Sequence, residues 1–136
     1  MKRLFSTKVS ESTLTIALFI LRVGIGSLMM IQHGLGKLQS FASRSGKFAD
    51  PFGIGSTASY SLVVFAEFFC AVFIILGLFT RLASIPLIIA MGVAVFLRHK
   101  GEFYGEGESA GLYLVCFIAL AFLGAGKFSM DRFIAK

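Results

Sequence analysis

The sequence predicts an all-α integral membrane protein: an up-down four-helix bundle with an interfacial loop between helices 1 and 2. Three observations lead to this fold class. Apolar residues make up 57% of the 136 residues even before the 15 glycines are counted, whereas soluble domains contain about 45 to 50% with glycine included. Charged residues make up 15%, against about 25% in soluble domains. Finally, the apolar residues fall into four long stretches.

The four stretches are suited to helices that span a bilayer. A hydrocarbon core of about 30 Å needs about 20 helical residues at a rise of about 1.5 Å each. Residues 14–35 and 62–79 can span unaided, while 82–97 and 112–126 need a few flanking residues. The sequence therefore predicts a single transmembrane domain over residues 1–136. Its spans are expected at about 14–36, 59–79, 82–98 and 109–126.

Basic residues beside the spans indicate the orientation, because Lys and Arg accumulate in cytoplasmic loops. With the N-terminus inside, seven basic residues lie on the cytoplasmic side and five lie outside. The seven are Lys2, Arg3, Lys8, Arg81, Lys127, Arg132 and Lys136, and the five are Lys37, Arg44, Lys47, Arg98 and Lys100. This distribution predicts that both termini are cytoplasmic.

The net charge of +6 does not indicate a nucleic-acid partner, because the basic residues lie between apolar stretches and not on one stripe. The partner that the composition implies is the lipid bilayer. Cys70 and Cys116 lie within apolar stretches and lack CxxC or CxxH spacing. Neither a disulfide framework nor a zinc site is indicated, and no metal is expected.

The connection between predicted helices 1 and 2, residues 39–61, is longer than a turn requires. It contains Phe41, Phe48, Phe52 and Ile54 among basic residues. This mixture favours a segment that lies at the membrane interface or caps the mouth of the bundle. The alternative is a plain mobile loop, which would not require so many large apolar side chains.

Two ionisable side chains lie deep within the predicted spans. At 1.5 Å per residue, Arg22 is about 12 Å from the inner end of helix 1, and Glu67 is about 18 Å from the inner end of helix 2. A long arginine side chain can bridge that difference. Because an unpaired charge in hydrocarbon is costly, we expect Arg22 and Glu67 to form a buried ion pair. The pair either locks helix 1 against helix 2 or belongs to a functional site.

A candidate binding site lies at the predicted outer mouth. His33 and Lys37 are one turn apart on the face of helix 1 that also holds Arg22. In an up-down bundle, the end of helix 3 and the start of helix 4 bring His99 and Glu108 to the same mouth. Such a group can shuttle protons, ligate a metal or hydrogen-bond a quinone carbonyl. The alternative is a solvated region of mixed charge.

Glycines on or beside this face of helix 1 remove side-chain bulk, which allows either close helix packing or the approach of a ligand to the backbone. They are Gly24, Gly26, Gly34 and Gly36. Close packing is the commoner use of glycine in membrane helices.

The order and spacing of several short segments resemble one known family. The segments are 22–26 (RVGIG), 33–37 (HGLGK), Glu67, 76–81 (LGLFTR), His99, Glu108 and 124–131 (GAGKFSMD). Together they resemble the DoxX family of small four-helix bacterial membrane proteins. The resemblance implies an inner-membrane protein linked to redox or thiol stress systems, with related subunits acting in thiosulfate and quinone chemistry. The sequence has no CxxC, which argues against a thiol-disulfide role.

Two functions of different classes stay open. The first is an accessory or assembly subunit of a membrane or envelope complex with redox association, which would have a larger protein partner or form a homo-oligomer. The second is a quinone- or thiol-linked membrane oxidoreductase subunit with a site at the outer mouth, for which quinone is the candidate cofactor. The pattern identifies no catalytic residue, and a chain of 14.7 kDa is not expected to be an enzyme on its own.

Overall fold

The computed structural model describes residues 1–98, 100–101, 105 and 107–135, and all regular secondary structure within them is helical. Four long helices make up most of the chain: α1 (Glu11–Gln39), α2 (Ser56–Leu76), α3 (Thr80–Arg98) and α4 (Glu108–Leu123). The short helical turns are Lys2–Phe5, Phe41–Arg44, Ser45–Lys47 and Asp131–Ile134.

Three of these helices are long and apolar enough to cross a membrane. They are α1, α2 and α3, with 29, 21 and 19 residues. Helix α4 is also apolar but has 16 residues, or about 24 Å, so it needs flanking residues to reach across a core of about 30 Å. The prediction of an all-helical membrane protein is therefore confirmed.

Local backbone chemistry sets the helix ends. The Ser10 side chain accepts a hydrogen bond from the backbone N–H of Thr13 at 3.2 Å, which caps α1 in the usual way for serine. Helix α2 ends where Gly77 takes the left-handed conformation, with φ of 70°, and glycine adopts this conformation most easily. Gly124, with φ of 79°, ends α4. These glycines place the ends of both helices three residues before the predicted ends.

The core lies between the helices and is apolar. Helix α3 packs along α4, and α1 packs against the last part of α2, Ala71–Leu76. The largest buried apolar side chains are Met29, Tyr60, Ile74, Leu87, Val95, Phe117 and Leu120. The outward faces are also apolar, as the exposed side chains of Phe96 and Phe122 illustrate. A helix that is hydrophobic all round is typical of a membrane span.

Three of the long helices contain a π-helical turn. These turns are Met30–Gly34 in α1, Phe65–Cys70 in α2 and Ala94–Arg98 in α3. The turn of α1 packs directly against the turn of α2, and the latter also packs against α3. Single π-helical turns are rare and often occur at functional sites. The side chains on and around these three turns are therefore candidates for a functional site.

Candidate functional site

The backbones of α1 and α2 approach each other closely at Gly34. A β-carbon added to Gly34 would lie 2.6 Å from the carbonyl carbon of Glu67 and 2.8 Å from Cα of Phe68. Since real β-carbons do not approach other atoms so closely, the contact requires glycine at this position. It joins the π-helical turns of the two helices and brings Glu67 beside the last turns of α1.

Glu67 pairs with Lys37 across this contact. The Lys37 Nζ lies 2.5 Å from Oε2 of Glu67, and the two side chains are 19% and 6% exposed. Burying two charges is tolerated when they pair closely, and in a membrane helix such residues mark candidate functional positions. Of the two side chains, that of Lys37 is the more exposed.

Tyr60 holds the lysine end of this pair. Its buried hydroxyl donates to the backbone carbonyl oxygen of Lys37 at 2.7 Å. The rings of Phe41 and Phe48 meet the Tyr60 ring edge-on, with centroid distances of 5.5 and 5.1 Å. Phe41 and Phe48 of the connection between α1 and α2 thus pack on Tyr60, whereas Phe52 and Ile54 are exposed.

His33 lies one turn before Lys37 and contacts α4. Its ring meets the ring of Tyr113 edge-on, with centroids 5.3 Å apart. It is within electrostatic range of Glu67, Lys37 and Arg98, and Tyr113 is within range of Glu67. We call His33, Lys37, Glu67 and Tyr113 the polar cluster. Its members come from three helices, and they offer hydrogen-bond donors and acceptors within an apolar surround.

The structure brings together part of the predicted outer-mouth site. His33 and Lys37 lie in the polar cluster, while Glu108 is exposed on the first residue of α4, five positions before Tyr113. His99 lies outside the described residues. Tyr113 was not among the predicted site residues. A tyrosine inside an apolar stretch does indicate a candidate polar site, because a tyrosine hydroxyl needs a hydrogen-bond partner when it is buried.

The predicted pairing of Arg22 with Glu67 differs from the arrangement in the structure. The buried Arg22 donates from Nη1 to the carbonyl oxygens of Ile74 and Ile75, each at 3.2 Å, and from Nη2 to the carbonyl oxygen of Phe128 at 2.6 Å. Ile74 is seven residues beyond Glu67, or about 11 Å along α2. The prediction took the two helix ends as level, but α1 begins at Glu11 and extends well past the end of α2.

The residues around Arg22 form a second polar arrangement, at the opposite end of α2 from the polar cluster. The segment after α4 returns to the turn between α2 and α3, where the N–H of Asp131 donates to the carbonyl oxygen of Gly77 at 2.8 Å. The Asp131 carboxylate accepts from the N–H groups of Phe79 and Thr80 at 2.6 and 2.9 Å. These bonds satisfy donors at the start of α3 that lack helical partners.

The remaining candidate residues do not add to the polar cluster. Cys70 and Cys116 are free thiols. Among the residues that the structure describes, no three His, Cys, Asp or Glu side chains come together in a way that could hold a metal ion. In the connection before α2, Asp50 accepts hydrogen bonds from the N–H groups of Gly55 and Ile54 and from the Ser59 hydroxyl, and these bonds lower the pKa of its carboxyl group.

Three curated proteins are similar to this chain. An uncharacterised protein of Haemophilus influenzae is 34% identical over 114 residues, covering 76% of this chain and 81% of the relative. A Bacillus subtilis protein named "Putative oxidoreductase CatD" is 28% identical over 122 residues, covering 89% of each chain. The uncharacterised membrane protein Rv3486 of Mycobacterium tuberculosis is 34% identical over 85 residues, covering 52% of each.

No solved structure matches the chain significantly. The family model that matches is DoxX, over residues 17–100. This match covers more than half of the chain and includes His33, Lys37 and Glu67. The chain therefore belongs to the DoxX family.

Proposed function

We propose that this DoxX-family chain is a membrane subunit of a redox-associated envelope complex, and that the polar cluster binds the carbonyl head group of a quinone or a similar lipophilic compound. The observation that carries the proposal is the partly buried ion pair of Lys37 with Glu67 beside His33. The printed name of the Bacillus subtilis relative, which describes an oxidoreductase, supports the redox association.

The chemistry of the polar cluster suits a carbonyl ligand. A lysine ammonium has three hydrogen-bond donors, and one of the donors of Lys37 is directed to Glu67. The ammonium therefore retains donors for a carbonyl oxygen. The His33 ring and the Tyr113 hydroxyl offer further donors or acceptors, and the apolar outer faces of the helices suit an isoprenoid tail in the bilayer.

The proposal includes a topology. We infer four spans in a bacterial inner membrane as an up-down bundle, with both termini in the cytoplasm. The seven-to-five distribution of basic residues supports this orientation, and the apolar character of α4 supports a fourth span that uses flanking residues. In this orientation the polar cluster lies in the outer half of the membrane and Arg22 lies in the inner half.

The test is binding of a short-chain quinone such as decylubiquinone to the purified protein in mild detergent, measured as a shift of the melting temperature. We expect the wild type to be stabilised in a saturable way. His33→Gln should lose the shift, and so should the double variant Lys37→Met with Glu67→Leu, which removes both buried charges and leaves neither unpaired. The control is Glu11→Gln, an exposed carboxylate at the other end of α1.

A shift of equal size in all four proteins would contradict binding at the polar cluster. A second measurement tests the subunit role. Purification of the chain in mild detergent from its native membranes should recover a larger protein in stoichiometric amount, or a homo-oligomer. Recovery of a partner without any quinone effect would favour a noncatalytic assembly subunit over a ligand-binding one.

A further inference from the structure

A groove lies where α3 begins and α4 ends, at the end of the molecule opposite the polar cluster. Its volume is about 610 Å³. The residues that matter for its chemistry are Arg81, Leu82, Leu123, Lys127, Asp131 and Arg132. A smaller groove of about 320 Å³ adjoins it, and Lys127 and Arg132 line both. The main groove is large enough for the head group of a lipid or a small ligand.

The groove carries more positive charge than its neighbours neutralise. Among the described residues, the guanidinium groups of Arg81 and Arg132 take part in no hydrogen bond or ion pair. Lys127 pairs with Glu11. Of the described residues that line the main groove, Asp131 alone has a carboxylate, and this carboxylate accepts hydrogen bonds from two backbone N–H groups at the start of α3. In the described part of the chain, the two arginines therefore have no ion-pair partner, and the charges that line the groove sum to a positive value.

The other part of the groove is apolar and lies at helix ends. Leu82 is 67% exposed in the first turn of α3, and Leu123 is 50% exposed on the last residue of α4. Helix ends of membrane spans lie near the lipid head groups, where Arg and Lys are concentrated. The groove thus places cationic side chains at the depth of the lipid head groups and exposed apolar side chains toward the hydrocarbon core.

We propose that this groove binds an anionic phospholipid, with its phosphate on Arg81 and Arg132 and its acyl chains along Leu82 and Leu123. Arginine binds phosphate through parallel N–H donors, and basic pockets at helix ends are known to hold acidic lipid head groups. This inference is independent of the proposed quinone site, because the groove shares no residue with the polar cluster.

The test is native mass spectrometry of the full chain in a neutral detergent, with phosphatidylglycerol or phosphatidylcholine of identical acyl chains added. We expect phosphatidylglycerol to bind at least about tenfold more tightly. The double variant Arg81→Gln with Arg132→Gln should weaken its binding roughly 25-fold, at about fivefold for each cation. The matched control is Arg44→Gln with Lys47→Gln, which removes the same charge from exposed positions at the other end of the molecule and should bind like the wild type.

Three outcomes would overturn the proposal: equal affinity for the two lipids, an equal loss in the control, or displacement of phosphatidylglycerol by an equal concentration of inorganic phosphate. The last would show that the groove takes free phosphate. Circular dichroism verifies that each variant is helical. If the double variant does not fold, the single variants Arg81→Gln and Arg132→Gln must each show a loss of about fivefold.

Discussion

Replacing Gly34 with alanine is expected to push α1 away from α2. The added β-carbon would lie 2.6 Å from the carbonyl carbon of Glu67 and 2.8 Å from Cα of Phe68. Since ordinary carbon contacts begin near 3.4 Å, relieving the closer of these two contacts requires the helices to separate by at least about 0.8 Å. A gap of that size already removes a quarter or more of the dispersion energy of the facing atoms.

The cost can be estimated from this geometry. Overpacking a close-packed site costs about 1 to 3 kcal/mol, and the upper half of that range applies here because both obstructing groups are backbone atoms. Alanine is favoured over glycine in a helix by up to about 1 kcal/mol. The net expectation is a loss of about 1 to 2 kcal/mol.

The assay is reversible unfolding in mixed detergent and dodecyl sulfate micelles, followed by far-ultraviolet circular dichroism. The matched controls are Gly24→Ala and Gly36→Ala in the same helix, because a β-carbon at either position meets nothing within 4 Å. Both controls should be as stable as the wild type or up to about 1 kcal/mol more stable. If Gly34→Ala unfolded like Gly36→Ala, the proposed backbone contact with Glu67 would be refuted.

Further predictions concern the ion pair, the loop and the topology. Glu67→Leu alone should cost about 3 to 5 kcal/mol in the same unfolding assay and the double variant with Lys37→Met much less; additive losses would exclude the pair. Because hydrogen bonds lower the pKa of Asp50, its ionised carboxylate should stabilise the loop at pH values above the ordinary carboxyl pKa, about 3.9. This stabilisation should disappear as the pH falls through the lower pKa that Asp50 has in the folded protein. Hydrogen exchange of the Gly55 amide should show the loss of stability at low pH, and the same pH dependence in Asp50→Asn would contradict the assignment to Asp50. In a background without native cysteines, Ser6→Cys should resist a membrane-impermeant thiol reagent added outside intact cells, and labelling there would reverse the orientation.

The sequence was sufficient to predict the helices, because the signal for a membrane helix is local. A long apolar stretch has few alternatives to a helix in a bilayer, since every backbone polar group must be satisfied within the chain. The predicted spans 59–79 and 82–98 correspond to α2 and α3. The end of α2 was placed too late because Leu78 and Phe79 continue the apolar stretch, whereas the left-handed backbone at Gly77 has already ended the helix.

The partners of the buried charges could not be predicted in the same way, because they depend on how far one helix is displaced along another. Counting from the ends of the apolar stretches placed Arg22 and Glu67 within reach of each other. The contact at Gly34 instead sets Glu67 level with the last turns of α1, and Arg22 is left level with the end of α2. A displacement of this kind arises from backbone packing that no single stretch of sequence encodes.

Arg22 and Lys37 are bound in different ways, and this difference supports the proposed location of the function. Arg22 binds three carbonyl oxygens, two of which belong to the last turn of α2, and an arginine does not release its proton in proteins. Lys37 and Glu67 are a hydrogen-bond donor and acceptor in direct contact, and the imidazole ring of His33 lies one turn away on α1. An arrangement of carbonyls can anchor a helix end but offers a ligand no proton. Function is therefore expected at the polar cluster, with the surroundings of Arg22 serving the fold.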